Sequence, residues 1–348
     1  MISVIIPFFN AQATLEKCIK SLLLQTFDNF EVILVNDNST DQSSDVISHT
    51  INNDHRFRII DQVKNKKGPS AARNLGINHA TRTYLYFLDS DDWIEPDTFE
   101  KMTSIAVEAN ACLVCASHFQ DTQSEAKPKY DGTPDNDHSF SEQELTRYIS
   151  HYLSQPYIYV MLVHCWGKLY QRSIIKQYQL TFNEALSQLE DVNFNFHYLC
   201  HTDKVVYKNE FLYHHSQTNN QESLSKLTGT EDKALSNFLT AYSAIDDYLK
   251  EKDQENLINA EKQVAHLFIN TVIITLIRLS KKELRTPSMA IACKVMAIAK
   301  SDEVLSRLHH YQPQPSESKL IFWALKTRQP ILVLISGLIR ASVLVLSK

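Results

Sequence analysis

Glycine is scarce in this chain of 348 residues, and its distribution excludes two kinds of phosphate site. The sequence has six glycines, and none precedes Gly68. The turn after the first predicted strand therefore has no glycine-rich loop. This absence excludes both a G-x-G-x-x-G dinucleotide site and the phosphate loop of a sugar nucleotidyltransferase at that turn.

Cysteine is also sparse, with six residues, and a zinc site is not indicated. The single C-x-x-C pair, Cys112 and Cys115, lies in a strand-like run and has no second pair to complete four ligands. The other cysteines are scattered through apolar segments. We therefore expect buried free thiols in a reducing cytoplasm.

Net charge argues against a nucleic-acid-binding protein, and the first ten residues argue against a signal peptide. The 35 basic and 40 acidic residues nearly balance, at a net charge of −5, so no strong field attracts DNA or RNA and we expect no nucleic-acid partner. The opening segment MISVIIPFFN lacks the basic start and the cleavage site of a signal peptide. It predicts a first strand instead.

Apolar, β-branched runs recur at a regular interval in the first quarter of the chain. They span 3–6, 31–35, 58–60 and 84–88, so their starts are 28, 27 and 26 residues apart. This spacing is typical of successive βαβ units, in which a crossover helix returns the chain to a parallel strand. The sequence predicts a doubly wound α/β sheet, with Pro96 in the first turn of the helix after the fourth strand.

A helical pattern replaces the βα rhythm near residue 225. We predict a catalytic domain at 1–225, a helical extension at 226–318 and a basic, apolar helix at 319–348. The last segment contains Lys and Arg but no acid. Such a helix can lie at an anionic membrane surface, and the alternative is that it packs on the domain.

Polar clusters follow three predicted strands: PFFN after the first, NDNSTD after the second and DSDD after the fourth. Ligands of open α/β sheets bind beyond the carboxyl ends of the strands, so these clusters are expected to converge at one edge. Asp89, Asp91 and Asp92 repel one another unless a cation neutralises them, which predicts a Mg²⁺ or Mn²⁺ site. The alternative is an acidic N-cap for the helix at Pro96.

Three other polar residues are candidates for binding or catalysis. Asp37 can accept a hydrogen bond from a nucleobase N–H, or it can close an Asx turn. Arg73 follows the turn at Gly68 and can contact a nucleotide or its phosphates. Asp191 can act as a base, and its alternative role is that of an acid at a helix end.

Taken in order, VIIPFFN, EVILVNDNSTD, GPSAARNLG, YLYFLDSDDW, WGKLY and LED resemble the inverting family 2 glycosyltransferases of the GT-A fold. The resemblance covers roughly 2–225. It implies transfer of a sugar from a nucleoside diphosphate donor, commonly a UDP-sugar, to an acceptor hydroxyl. It also implies Mn²⁺ or Mg²⁺ as cofactor and a glycan or lipid-linked saccharide as acceptor. The setting would be surface polysaccharide or glycolipid synthesis at the cytoplasmic face of the cell membrane.

The resemblance also implies a role for individual residues. Asp91 and Asp89 match the D-x-D metal motif, and Asp191 matches the base that activates the acceptor. The nucleotide and donor site would comprise Pro7, Phe9, Asp37, Arg73, Asp89 and Asp92. The acceptor and sugar pocket would comprise Trp166, Lys168 and Glu190.

The match to the family pattern is incomplete in two places. Asn36-Asp37-Asn38 replaces the frequent Asp-Asp-Gly, and Tyr213-His214-His215-Ser216 with Ser223-Leu224-Ser225 matches the phosphate-closing stretch only loosely. His215 is a candidate metal or phosphate contact, and the alternative is an ordinary strand histidine. A rival hypothesis for the whole chain is an inactive sugar-nucleotide-binding or membrane scaffold protein, and the acidic residues argue against it.

Overall fold

The structure, a computed structural model, describes residues 1–63, 66–122, 125–155, 158–216, 231–252, 257–285, 288–313 and 319–346. The predicted boundary at 225 and the segment Ser223-Leu224-Ser225 lie outside these ranges. The strands are β1 Ile2–Phe8, β2 Phe30–Asn36, β3 Phe57–Asp61, β4 Tyr84–Phe87, β5 Trp93–Ile94, β6 Leu113–Asp121, β7 Ala126–Lys129, β8 His138–Phe140, β9 Lys168–Gln171 and β10 Val205–Ser216.

The helices divide into those interleaved with the strands and those that follow β10. The first group is α1 Leu15–Leu23, α2 Ser43–Ile51, α3 Pro69–His79, α4 Thr98–Glu108, α5 Glu142–Ser154, α6 Arg172–Gln177 and α7 Glu190–Cys200. The second group is α8 Glu231–Lys252, α9 Leu257–Arg285, α10 Met289–Lys300, α11 Asp302–Arg307, a 3-10 turn Leu308–His310, α12 Lys319–Lys326 and α13 Pro330–Leu346.

The strands form one mixed sheet in the order β3-β2-β1-β4-β9-β6-β10-β5, with β7 beside β6 and β8 beside β10. The first four strands are mutually parallel, which confirms the prediction from their spacing. Strand β9 is antiparallel to both β4 and β6. It therefore joins the βαβ half of the sheet to the half built from later residues.

Both faces of the sheet are covered, so the central strands are buried on both sides. Successive residues of β1 alternate between two hydrophobic clusters: Ile5 belongs to the cluster that includes α3 and α7 residues, and Val4 belongs to the cluster that includes α1 and α4 residues. The first cluster continues into the helices after β10. These helices therefore extend the hydrophobic core on the α7 side of the sheet.

Gly76 allows α3 to approach β1 closely. A Cβ at this position would lie 2.4 Å from Cγ2 of the buried Ile5. We expect Gly76→Ala to lower the free energy of unfolding by about 1–3 kcal/mol, because overpacking outweighs the better helix propensity of alanine. Denaturant titration measures the change. Asn78→Ala on the exposed face of α3 is the control and should shift stability by no more than about 0.5 kcal/mol. Equal stability of the two variants would contradict the packing argument.

The cysteines are all free, as predicted, but they are not all buried. Cys112 is half-buried and Cys293 is exposed, because Cys293 lies on the outer face of α10. The predicted single helix at 319–348 is also wrong in detail. The described part of this segment forms two helices, α12 and α13, with a break before Pro330, where the ring of a proline fits only the first turn of a helix.

One stretch of the described residues, Glu261–Leu284 in α9, is long and apolar enough to cross a membrane by length and composition. Of the 18-residue segment that meets this test, 61% is buried inside the protein. A core helix of a soluble protein meets the same test, so this stretch is weak support for a span. Residues Pro330–Ser342 of α13 form a shorter apolar segment.

Candidate active site

The ends of β1, β2 and β4 bring the predicted polar clusters to one edge of the sheet. The N–H of Asp37 donates to the carbonyl of Phe8 at 2.8 Å, and the N–H of Asn10 donates to Ser39 Oγ at 3.1 Å. The clusters after β1 and β2 are therefore in direct contact. The third cluster follows β4, which pairs with β1 on its other side.

Asp37 lies in this edge with one carboxylate oxygen satisfied and one free. Its Oδ2 accepts from the N–H of Gly68 at 2.7 Å, whereas its buried Oδ1 has no partner among the described residues. Burial raises the pKa of Asp37 above its usual value. The turn after β2 is closed instead by Asn36, whose Oδ1 accepts from the N–H of Ser39 at 2.9 Å. Asp37 thus has an oxygen available for a ligand N–H.

Pro7 is the last residue but one of β1, and Phe9 directly follows the strand. Pro7 pairs with Val35 across the sheet, and Phe9 follows the strand with half of its surface exposed. The predicted nucleotide site therefore has an accessible aromatic ring directly after Phe8, the residue whose carbonyl accepts from the Asp37 N–H.

The acidic turn after β4 is not the cap of a helix. Helix α4 begins at Thr98 with Asp97 in the N-cap position, so Pro96 precedes the helix and the predicted first turn is two residues too early. Trp93 and Ile94 form a short strand between the turn and the helix. The alternative role of the acidic turn as an N-cap is therefore wrong.

Asp92 is held inside the protein by β10. Its Oδ2 accepts from the Tyr213 hydroxyl at 2.5 Å, and its Oδ1 accepts from the N–H of Ser216 at 2.7 Å. The same hydroxyl lies 3.4 Å from the N–H of Asp89. Tyr213 thus ties the acidic turn to the end of β10, a role that the loose motif around it did not reveal.

Burial and mutual repulsion act together on the acidic turn. They raise the pKa of Asp91 to about 6, through desolvation first and the charge of Asp89 second. The pKa of Asp92 is also raised well above its usual value, by burial and by both neighbouring carboxylates. A bound cation would relieve the repulsion between these carboxylates. Oxygen ligands of this type suit Mg²⁺ or Mn²⁺.

Within the described residues, Asp89 and Asp91 are not joined by a third side chain that could complete a metal site. Among the described residues, no group of three or more His, Cys, Asp or Glu side chains is arranged to hold a metal ion. His215 instead stacks on Trp166 with 5.2 Å between ring centroids, and burial lowers its pKa. The structure therefore does not bring His215 into a metal-ligand set with the two aspartates.

Arg73 joins the acidic turn to α7. Its Nη2 contacts Asp89 Oδ1 at 2.9 Å, and its Nη1 contacts Glu190 Oε1 at 3.2 Å and Asp191 Oδ1 at 3.3 Å. The guanidinium side chain is only 5% exposed, and its Nε has no partner among the described residues. Three carboxylates around one cation leave an excess of negative charge, and burial with the charge of Asp191 raises the pKa of Glu190.

Asp191 stands at the amino terminus of α7 and faces the acidic turn through Arg73. Its Oδ2 accepts from the N–H of Cys165 at 3.0 Å. Two of the roughly four lone-pair directions of a carboxylate are therefore occupied, and the others remain for a substrate proton. The acidic turn and Asp191 are therefore neighbours, because both contact Arg73.

Asn195, one turn further along α7, was not predicted from the sequence. Its side-chain amide donates to the carbonyls of Leu162, Val163 and His164 at 2.8, 2.9 and 3.0 Å. Its Oδ1 accepts from the Tyr170 hydroxyl at 2.7 Å. A single buried amide therefore fixes the loop that carries Cys165 and Trp166, and nothing in its local motif indicates this role.

Trp166 contacts Tyr213, the residue that holds the acidic turn, and Lys168 contacts Trp166. Trp166 stacks between other rings, with centroid distances of 4.6 Å to Tyr213 and 4.5 Å to His164. Lys168 is buried, donates to the carbonyl of Trp166 at 3.3 Å, and has its pKa lowered by burial. Trp166 is therefore linked to the acidic turn through Tyr213, and the predicted contact of Trp166 and Lys168 with a sugar stays a prediction.

Known proteins similar to this chain are glycosyltransferases. The family model described as glycosyl transferase family 2 matches residues 3–179, just over half of the chain. EpsH of Bacillus subtilis is 34% identical over 218 residues, which cover 62% of this chain and 60% of EpsH. Glycosyltransferase GlyA of Streptococcus pneumoniae is 32% identical over 212 residues, which cover 61% of this chain and 30% of GlyA. The chain therefore matches less than two thirds of the length of either relative.

Two solved structures share the fold at low sequence identity. TarS 1-349 of S. aureus in complex with UDP-GlcNAc has a TM-score of 0.69 at 16% identity, and the match covers 97% of this chain and 90% of that one. The mannosyltransferase PcManGT from Pyrobaculum calidifontis, in complex with GDP-Man and Mn²⁺, has a TM-score of 0.51 at 12% identity, with coverages of 98% and 86%. These matches confirm the predicted GT-A fold, and the family match shows that the chain belongs to glycosyl transferase family 2.

Proposed function

We propose that the protein is an inverting, metal-dependent glycosyltransferase that moves a sugar from a UDP-sugar onto an acceptor hydroxyl. Membership of family 2 supports the class of reaction. The observation that carries the mechanism is the shared guanidinium of Arg73, which joins Asp89 of the acidic turn to Asp191 on α7. This shared contact supports the proposal that Asp89 serves the donor side and Asp191 the acceptor side of one site.

The nucleotide part of the donor is assigned to Asp37, Pro7 and Phe9. The unpartnered Oδ1 of Asp37 offers an acceptor to a ring N–H of the base, and Phe9 offers an exposed ring for stacking. The UDP-GlcNAc complex of the TarS neighbour supports uridine as the base.

Asp91 and Asp89 are the residues that would hold Mn²⁺ or Mg²⁺. The raised pKa of Asp91 and the excess of carboxylates over cations fit a site completed by a divalent ion. When bound, such a cation supplies neutralisation of the diphosphate as it departs. Asp92 would keep the turn in position through its contacts with β10.

Asp191 would take the proton of the acceptor hydroxyl as the oxygen attacks the anomeric carbon. The contacts with Arg73 and the Cys165 N–H fix the carboxylate in place, which reduces the entropy cost of aligning base and acceptor. A single displacement inverts the anomeric configuration. We propose a glycan or lipid-linked saccharide as acceptor, in surface polysaccharide or glycolipid synthesis.

A donor panel tests this proposal. The full chain is incubated with UDP-GlcNAc and with GDP-mannose, and release of the nucleoside diphosphate is measured with Mn²⁺, with Mg²⁺ and after EDTA treatment. We expect slow release of UDP, even to water as acceptor, and its loss after EDTA. Release that is undiminished by EDTA would contradict the metal, and release of GDP alone would contradict uridine. No release from either donor would favour an inactive scaffold.

A further inference from the structure

Helices α12 and α13 present an apolar surface that nothing in the described protein covers. On α13 the exposed side chains are Ile331, Leu332, Ile335 and Ile339, and three of them recur at intervals of four residues, so they form one stripe. On α12 the exposed apolar side chains are Leu320 and Trp323. We call these six residues the C-terminal apolar face.

The packing of α13 determines that this stripe faces outward. A Cβ on Gly337 would lie 2.3 Å from Ser280 Oγ, so α13 contacts α9 at close range on its inner side. Val333 and Ala341 on the same inner side are fully buried. The apolar side chains cannot all turn inward, because the inner face of α13 is already filled by α9.

The charged residues of the segment that carries the C-terminal apolar face are all of one sign. No Asp or Glu occurs from Lys319 to the end of the sequence, although the whole chain carries a net charge of −5. Lys319, Lys326 and Arg328 are exposed near α12, and Arg340 is half-buried on α13. The Lys326 ammonium lies 5.3 Å from the centre of the Trp323 ring, so a basic and an aromatic group share one edge.

We infer that the C-terminal apolar face docks on the surface of an anionic lipid bilayer, with α12 and α13 lying in its interface. Apolar side chains enter the acyl boundary, while basic groups and a tryptophan remain at headgroup level. Helix α13 has 17 residues, about 25 Å at 1.5 Å per residue, which is short of the roughly 30 Å of hydrocarbon. Its inner face is also packed on α9, so docking rather than spanning fits the geometry.

This inference goes beyond the proposed transfer reaction and does not depend on it. A glycosyltransferase with a soluble acceptor would not need such a face. A membrane contact here would hold the catalytic half near lipid-linked acceptors.

Vesicle co-sedimentation of the full chain tests the inference. We expect binding to vesicles that contain phosphatidylglycerol and much weaker binding to vesicles of pure phosphatidylcholine. The reason is that each Lys or Arg near an anionic surface increases the affinity about fivefold. The double variant Ile335→Glu/Ile339→Glu should bind at least about a hundredfold more weakly, because the loss of each apolar side chain lowers the affinity by roughly tenfold or more. Lys326→Gln/Arg328→Gln should bind anionic vesicles about 25-fold more weakly, because two of the basic residues are removed, and should bind phosphatidylcholine vesicles as wild type does.

Leu24→Glu is the matched control, because Leu24 is an exposed leucine on the catalytic half. It should leave vesicle binding unchanged. Trp323 provides a second readout, since it is 59% exposed, whereas Trp166 is buried and Trp93 is half-buried. Tryptophan emission should shift to shorter wavelength when anionic vesicles are added, and the shift should disappear in Trp323→Phe.

Two results would overturn the inference. One is wild-type protein that binds neither kind of vesicle. The other is a concentration-dependent dimer that Ile335→Glu/Ile339→Glu dissociates while vesicle binding is absent, which would assign the face to a second copy of the chain. Far-ultraviolet circular dichroism establishes that the variants are folded.

Discussion

Asp191→Asn is expected to lower the turnover number by about 10²- to 10⁴-fold while donor binding is retained. Asparagine keeps the shape of the side chain and can still accept from the N–H of Cys165, but it cannot take a proton from the acceptor hydroxyl. The donor contacts assigned to Asp37 and the acidic turn remain. Steady-state kinetics with the donor identified in the panel, together with calorimetric titration of UDP, separate the loss of chemistry from a loss of binding.

Glu190→Gln is the matched control for this prediction. It removes a negative charge from the same guanidinium, because Arg73 Nη1 contacts both acids at 3.2 and 3.3 Å. We expect it to retain far more activity than Asp191→Asn. A large loss in Glu190→Gln with near-normal turnover in Asp191→Asn would transfer the role of base to Glu190.

Asp91→Asn should abolish most metal-dependent transfer and, at the same time, stabilise the metal-free protein. The loss of transfer is expected to be about 10²-fold or more, because a ligand of the cation that neutralises the leaving diphosphate is removed. The gain in stability follows from the pKa of Asp91, which burial and the charge of Asp89 raise to about 6. Folding then disfavours the ionised form, at a cost of up to about 3 kcal/mol for a shift of about two pH units.

The pH dependence of this stabilisation has a definite sign. The folded-state pKa of Asp91 lies above its unfolded value of 3.8, so the cost is present above pH 6 and disappears below about pH 4. In EDTA, the melting temperature of Asp91→Asn should therefore be higher than that of wild type at pH 8 and equal to it at pH 4. Added Mn²⁺ should reverse the order at pH 8, because it binds the folded wild type.

Asp135→Asn, at an exposed position, is the control for these unfolding measurements. It should leave both the pH dependence and the response to Mn²⁺ unchanged. If Asp91→Asn is less stable than wild type at pH 8 in EDTA, the repulsion described within the acidic turn is not the dominant effect.

Local patterns in the sequence predicted the four parallel strands in the first quarter of the chain well. Strands β1 to β4 lie within one or two residues of their predicted positions, because β-branched runs at 26- to 28-residue spacing leave few arrangements other than parallel βαβ units. The same patterns located the acidic turn after β4. They did not locate the start of α4, because a proline is tolerated both before and inside the first turn of a helix.

The candidate site was only partly predictable. Motifs indicated Asp37, Asp89, Asp91 and Asp191, but the contacts that organise them join residues far apart in sequence. Arg73 meets Glu190 and Asp191 across 117 and 118 residues, and Tyr213 meets Asp92 across 121 residues. No local propensity encodes such pairs, because they depend on how α3, α7 and β10 pack around the sheet.

The sequence alone determined the α/β class, the parallel arrangement of the first four strands and the residue types at their carboxyl ends, since periodicity and turn composition act over a few residues. Tertiary structure decided that one buried arginine links both halves of the site, that Asp92 is anchored to β10 and that α13 turns its isoleucines outward. The physical reason is common to the three. Burial and close packing select among contacts that are equally compatible with the local sequence, and they act only once distant segments have been brought together.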